Sequence, residues 1–243
     1  MAPQWIRLSA ILFLLIVCSA LPVHTVEKQT LFREEFLSID HWGPLYFPKI
    51  KLHATYAAKS DGGEQYLRAE SKASASALVY KDEFHVYEYP KAGWRWRVDT
   101  LSLKGNPQKK SGDDYPIRVY FMFRYDPEKA TFLEKIQYGL AKKLYGEYPP
   151  HRTLSYVWSY AETAATMYDS PYTDKAKIIV LRNGKSSLGK WMVEERNILE
   201  DYRRVFGKDP PQTAGIALMA DSDNTGGETA SSVDFIEVYR DVP

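Results

Sequence analysis

Apolar and polar residues alternate along much of this chain, most sharply in two segments. Trp94, Trp96 and Val98 fall on one face of an extended run, and Arg95, Arg97 and Asp99 on the other. Ile117, Val119, Phe121, Phe123 and Tyr125 alternate in the same way with Arg118, Tyr120, Met122 and Arg124. A period of two marks half-buried strands, so the first set in each run is expected in a core. The second set is expected on an open sheet face that carries guanidinium groups beside aromatics. Further strand candidates are Thr30–Phe36, Lys51–Tyr56, Gln65–Ser71, Ala77–Lys81, Thr153–Tyr160, Lys177–Arg182 and Lys190–Glu195. Turns are signalled by Asp61-Gly62-Gly63, Lys104-Gly105-Asn106-Pro107, Asn183-Gly184 and Asp209-Pro210-Pro211, and Trp42-Gly43-Pro44 reads as closing the first segment. Near the end, Ile216–Ala220 reads as a strand buried on both faces. The run after it places Val233, Phe235 and Glu237 on one side and Asp234, Ile236 and Val238 on the other. About eleven strands punctuated in this way predict a mainly β fold, a two-sheet antiparallel sandwich or jelly roll.

Two helices are expected to interrupt the strands. Asp126 can cap a helix with Pro127 at its first position, and Leu133, Ile136, Leu140 and Leu144 form an apolar stripe opposite Lys135, Lys142 and Lys143. This helix, about residues 127–145, would cover an open end of the core. A shorter one, about 198–206, has Asn197 as cap, Glu200 three residues on and Gly207 as stop.

Residues 1–25 carry the pattern of a secretory leader: Arg7, the apolar run Leu8–Val17, then Cys18-Ser19-Ala20. The run is short for a bilayer span, which needs ~20 residues. Cleavage is expected after Ala20, or else near Thr25. The remainder, residues 26–243, has no linker or internal repeat and is expected to be one β-sandwich domain, periplasmic or secreted, with no membrane anchor. Cys18 is the single cysteine, so disulfides, thiolate metal sites and a cysteine nucleophile are excluded from a cleaved chain. Removing Arg7 from 32 basic residues leaves 31 against 31 acidic ones, a zero balance that argues against nucleic acid as partner. The 18 Tyr, 10 Phe and 6 Trp suit both a core and a sugar-binding face.

No familiar catalytic constellation emerges. Asp234 and Glu237 are three apart, and Glu194 and Glu195 are adjacent; neither spacing sets two carboxylates on one strand face. His24, His41, His53, His85 and His151 show no zinc-ligand spacing. Binding is the better supported reading. Arg95, Arg97, Arg118, Tyr120, Tyr156 and Trp158 could converge on one face with Asp113 and Asp114 beside them, where rings stack on sugars and guanidinium forks hold hydroxyls or carboxylates. The opposing reading makes Tyr156 and Trp158 core and pairs the arginines with Asp99, Asp113 and Asp114. The loop Asp221-Ser222-Asp223-Asn224-Thr225-Gly226 approximates the first half of a calcium loop, with Asp221, Asp223 and Asp234 as candidate ligands. The same composition also suits a plain turn.

The blocks Gly112–Tyr120, Leu154–Trp158, Glu200–Gly207 and Gly215–Gly226 together resemble the bacterial family called domain of unknown function 3047. The likeness runs through the whole chain after the leader. It implies secreted or envelope-associated β-sandwich proteins with no assigned activity. Ala220 stands where that family is expected to have Thr. More distantly, Glu34-Glu35-Phe36 with Trp42, and the closing Asp234–Val238, look like jelly-roll carbohydrate-binding modules, whose first and last strands pair and whose acids there often hold calcium. The function expected is non-catalytic ligand binding, with a glycan as the favoured partner. The alternatives are a polysaccharide- or ester-acting hydrolase or lyase, and a structural envelope protein.

Overall fold

The computed structural model describes residues 27–128, 150–162 and 165–242. The leader (1–25) and most of the expected 127–145 helix lie outside the described residues. Among the described residues there are thirteen strands: β1 (Glu27–Glu34), β2 (Trp42–Leu45), β3 (Thr55–Asp61), β4 (Glu64–Lys72), β5 (Ala75–His85), β6 (Lys91–Ser102), β7 (Arg118–Phe123), β8 (Arg152–Ser159), β9 (Met167–Ser170), β10 (Thr173–Asn183), β11 (Met192–Asn197), β12 (Thr213–Asp221) and β13 (Glu228–Val242). They form a two-sheet sandwich. Sheet A runs β11-β6-β13-β4-β3, with β1 also paired to β13; sheet B runs β2-β5-β12-β7-β8-β10-β9. The first and last strands do pair, Glu27 opposite Val242 through Glu34 opposite Ile236. All pairs are antiparallel except β8 with β10, which are parallel because the short β9 turns the chain back beside β10 first. Trp42-Gly43-Pro44 is therefore not a closing turn but edge strand β2, a place where proline's missing donor costs no ladder bond.

The core is built from rings. Trp94 and Trp96 of β6 meet Tyr156 and Trp158 of β8 and Phe121 of β7 across the sandwich. Ring centroids are 5.2 Å apart for Trp94–Tyr156, 6.1 Å for Trp96–Trp158 and 5.9 Å for Phe121–Tyr156. All five are fully buried. Their polar ends are tied where partners exist: Trp158 Nε1 donates to the Gly184 carbonyl at 3.2 Å, and Trp96 Nε1 to Glu194 at 3.1 Å. The Tyr156 hydroxyl donates to Asp201 at 2.7 Å.

Asp201 belongs to helix α1 (Ile198–Phe206), which packs on the core through Ile198 and Tyr202. Its start and stop are as expected: Asn197 accepts from the Glu200 N–H, and Gly207 takes the left-handed conformation at φ 65°. Arg196 and Arg204 both bind Asp201, so this buried carboxylate ties helix, edge strand and core tyrosine together.

One register shift alters the expected faces. A bulge between Val233 and Phe235 inserts one residue into β13, so Val233 shares the inner face with Ile236 and Val238 while Phe235 and Glu237 face out. At the other end of β13, a Cβ on Gly227 would overlap the Ser102 carbonyl, so only glycine fits there.

Because Trp158 is fully enclosed, Trp158→Ala is expected to cost about 3–5 kcal/mol, read as a fall in the urea midpoint at unchanged slope. A midpoint within experimental error of wild type would contradict this packing.

Candidate functional site

Strand parity turns Arg95, Arg97 and Asp99 of β6, and Tyr66, Arg68 and Glu70 of β4, to the outer face of sheet A. There they sit either side of Ser232 of β13. Trp191, in the loop leading into β11, folds over the same face. The Arg95 and Arg97 guanidinium carbons lie 4.8 and 4.6 Å from its ring centroid, and Tyr66 meets it edge-on at 5.9 Å. Its indole N–H donates to Glu64 at 3.1 Å. The cations are pinned by acids: Arg95 to Asp234 at 2.9 Å and to Glu64 at 3.2 Å, Arg97 to Asp99 at 2.8 Å, and Arg68 to Glu70 at 3.0 Å as well as to Asp99. The Arg97 Nε–H, though close to Asp99, makes no hydrogen bond of acceptable geometry.

Arg68 carries this patch into a groove of about 760 Å³, whose walls include Glu70, Lys72, Thr100, Thr55 and His53. The floor is short-chained, since Ala230 stands opposite both Thr100 and Glu70. At its far side Lys72 meets Glu228 at 2.6 Å. The whole face offers planar donor and acceptor forks around a half-buried indole, the equipment used to read vicinal hydroxyls and stack on a sugar ring.

A second cluster lies at the opposite sheet. Arg118 of β7 is 4% exposed and holds both oxygens of Asp221, the last residue of β12, with Nε donating at 3.1 Å. It also reaches Asp113 at 3.4 Å and stacks 4.3 Å over the Tyr115 ring. Asp114 accepts from the backbone of Asn224 at 3.2 Å, its side chain at 2.9 Å and the backbone of Thr225 at 2.7 Å, fixing the loop after β12. Oxygens of Asp114, Asp221 and Asp223 gather within 4.8 Å of one another. Burial pushes Asp221 up to about 7 against the pull of Arg118, with Asp114 and Asp113 adding to the rise. Burial also raises Asp113 and Asp223.

The residues expected to share one binding face thus lie in three places. Arg95 and Arg97 are on the outer face of sheet A. Arg118, Tyr120, Asp113 and Asp114 belong to the outer side of sheet B and its adjoining loop, where Arg118 and both acids are buried. Tyr156 and Trp158 are core, because they share parity with Leu154 on the inward side of β8. Asp234 does not join Asp221 and Asp223; it faces out of sheet A and pairs with Arg95, and Asp114 takes its place. Trp191, Tyr66 and Arg68 were not singled out from the sequence. Parity from Leu67 and Ala69 marks Tyr66 and Arg68 as outward, whereas Trp191, within the expected strand Lys190–Glu195, lies just ahead of β11 and takes its direction from the fold.

A family described as "Protein of unknown function (DUF3047)" matches residues 40–237. A search of curated proteins finds no match. Among solved structures, the chain is similar to the family 11 carbohydrate-binding module of cellulosomal cellulase Lic26A-Cel5E of Clostridium thermocellum. The identity is 11%, over 88% of this chain and 95% of that one, at TM-score 0.44. It is also similar to the family GH12 endoglucanase 3 of Trichoderma harzianum, at 8% identity over 77% and 85% of the two chains and TM-score 0.39.

Proposed function

The chain belongs to the family described as protein of unknown function DUF3047, and from its own geometry we propose that it is an exported, non-catalytic glycan-binding protein. The observation that carries this reading is the continuity of the Trp191–Arg97–Arg95 patch with the groove beside Arg68 on the outer face of sheet A. Export rests on the leader pattern of residues 1–25.

Charge chooses among glycans. Arg68, Lys72, Arg95 and Arg97 face Glu64, Glu70, Asp99, Glu228 and Asp234, so the face is nearly balanced and slightly acidic. Such a surface repels uronates and sulfates and suits a neutral sugar, whose hydroxyls exchange with paired forks without stripping a charge of its partner. Each of these carboxylates is engaged by a cation, which supports binding over acid–base chemistry.

A hard divalent cation such as Ca²⁺ at Asp114, Asp221 and Asp223 is a second part of the proposal. Asp114, Asp221 and Asp223 gather three carboxylates, and Arg118 touches Asp221 of these as well as the neighbouring Asp113. Oxygen donors of this kind match calcium chemistry, and a bound ion would offset the surplus charge and stiffen the loop that Asp114 fixes. It has no chemical step to perform.

Trp191→Ala and Arg97→Ala are each expected to weaken binding to a neutral polysaccharide by about tenfold or more, with the circular dichroism spectrum unchanged, in affinity electrophoresis against a panel of neutral and acidic polysaccharides. Retention by none of them, or equal retention of wild type and Trp191→Ala, would sink the reading. For the cation, Ca²⁺ at ~100 times its Kd should add about 2.7 kcal/mol to stability, seen as a higher melting temperature that Asp223→Asn abolishes. Absence of calcium uptake in calorimetry would rule the ion out.

A further inference from the structure

On the outer face of sheet B a trough of about 400 Å³ crosses β2, β5, β12 and β7, well apart from the sheet A patch. Two glycines open it. Gly43 lies opposite Val79 and is half-buried, and Gly215 lies opposite Met122 and is buried beneath the Glu83 side chain, so neither adds a side chain of its own to the trough. Neither glycine is required by its conformation or by a close neighbour. A Cβ at Gly43 would meet nothing nearer than the Val79 carbonyl at 4.0 Å, and one at Gly215 would only reach Glu83 at 3.8 Å. Glycine within a strand weakens it, so such positions mark a bulge or a close approach by another molecule. The shift in β5 opposite Gly215–Ala217 accounts for one irregularity but not for the space above Gly43.

The walls are apolar: Pro44, Leu45, Val79 and Met122. The rim is charged and unbalanced. Arg124 and Glu83 form an ion pair, while the Lys81 ammonium donates to the Asp40 carbonyl at 2.6 Å rather than to a carboxylate. That leaves one positive charge at the mouth of an apolar trough of a size typical for small ligands. We propose that this trough binds a small amphipathic acid, an aliphatic or aryl carboxylate whose body lies over Gly43 between Val79 and Met122 and whose head meets Lys81.

The test is isothermal titration of the full chain with decanoate and, in parallel, with 1-decanol. The proposal expects saturable one-to-one binding of decanoate and affinity for decanol at least about tenfold weaker. Gly215→Leu, which fills the trough without meeting backbone, should abolish binding, and the exposed Lys81→Glu should weaken it about tenfold or more. No binding by wild type, decanol binding as tightly as decanoate, or unchanged affinity in Lys81→Glu would each overturn it. Should Gly215→Leu fail to fold, the Lys81→Glu comparison and the decanol control still decide the matter.

Discussion

The structure depends on the interlocking of indoles and phenols across the sandwich. Trp94 and Trp96 descend from one sheet, and Tyr156, Trp158 and Phe121 rise from the other, in edge-on and tilted contacts that suit aromatic quadrupoles. Side chains alternate along a strand, so seating Trp94 and Trp96 inward leaves Arg95, Arg97 and Asp99 no place but outside. A slip of one residue would bury three charges and expose two indoles. The proposed binding face of sheet A is in this sense the other side of the core, and its register is as fixed as the core itself.

The guanidinium groups then divide by environment. Those of sheet A are partly solvated, so their ion pairs contribute little to stability and chiefly hold the forks in place. Arg118 is enclosed, and there the physics reverses. Its contact with Asp221 offsets a desolvation cost that neither group could bear alone. Buried pairing makes a structural knot, whereas screened pairing makes a surface that a ligand can share. That contrast is why Arg97, and not Arg118, is proposed for recognition.

The sequence made the sandwich readable because its signals were local. Parity in Trp94–Val98, the Asn197 cap and the Gly207 stop each need only a few neighbouring residues. What escaped was long-range or irregular. One extra residue at the β13 bulge reverses the faces of Phe235 and Ile236, and no motif announces it. The parallel pairing of β8 with β10 follows from the small strand β9, too short to declare itself. Tyr156 and Trp158 were readable in principle, since Leu154 shares their parity. The acidic cluster joins Asp114 to a loop that begins at Asp221, so Asp234, nearer in sequence, was the wrong third acid. Trp191 falls inside the expected strand Lys190–Glu195, but β11 starts one residue later, and only the fold brings the ring over Arg95 and Arg97.

The outer face of sheet A, with Trp191 at its heart, is the proposed ligand site. Tryptophan indole N–H resonances report on it residue by residue in a titration with a neutral oligosaccharide followed by nuclear magnetic resonance. The Trp191 signal should shift with saturation while those of Trp94, Trp96 and Trp158 stay in place. Movement of the buried indoles with Trp191 unmoved would contradict the account.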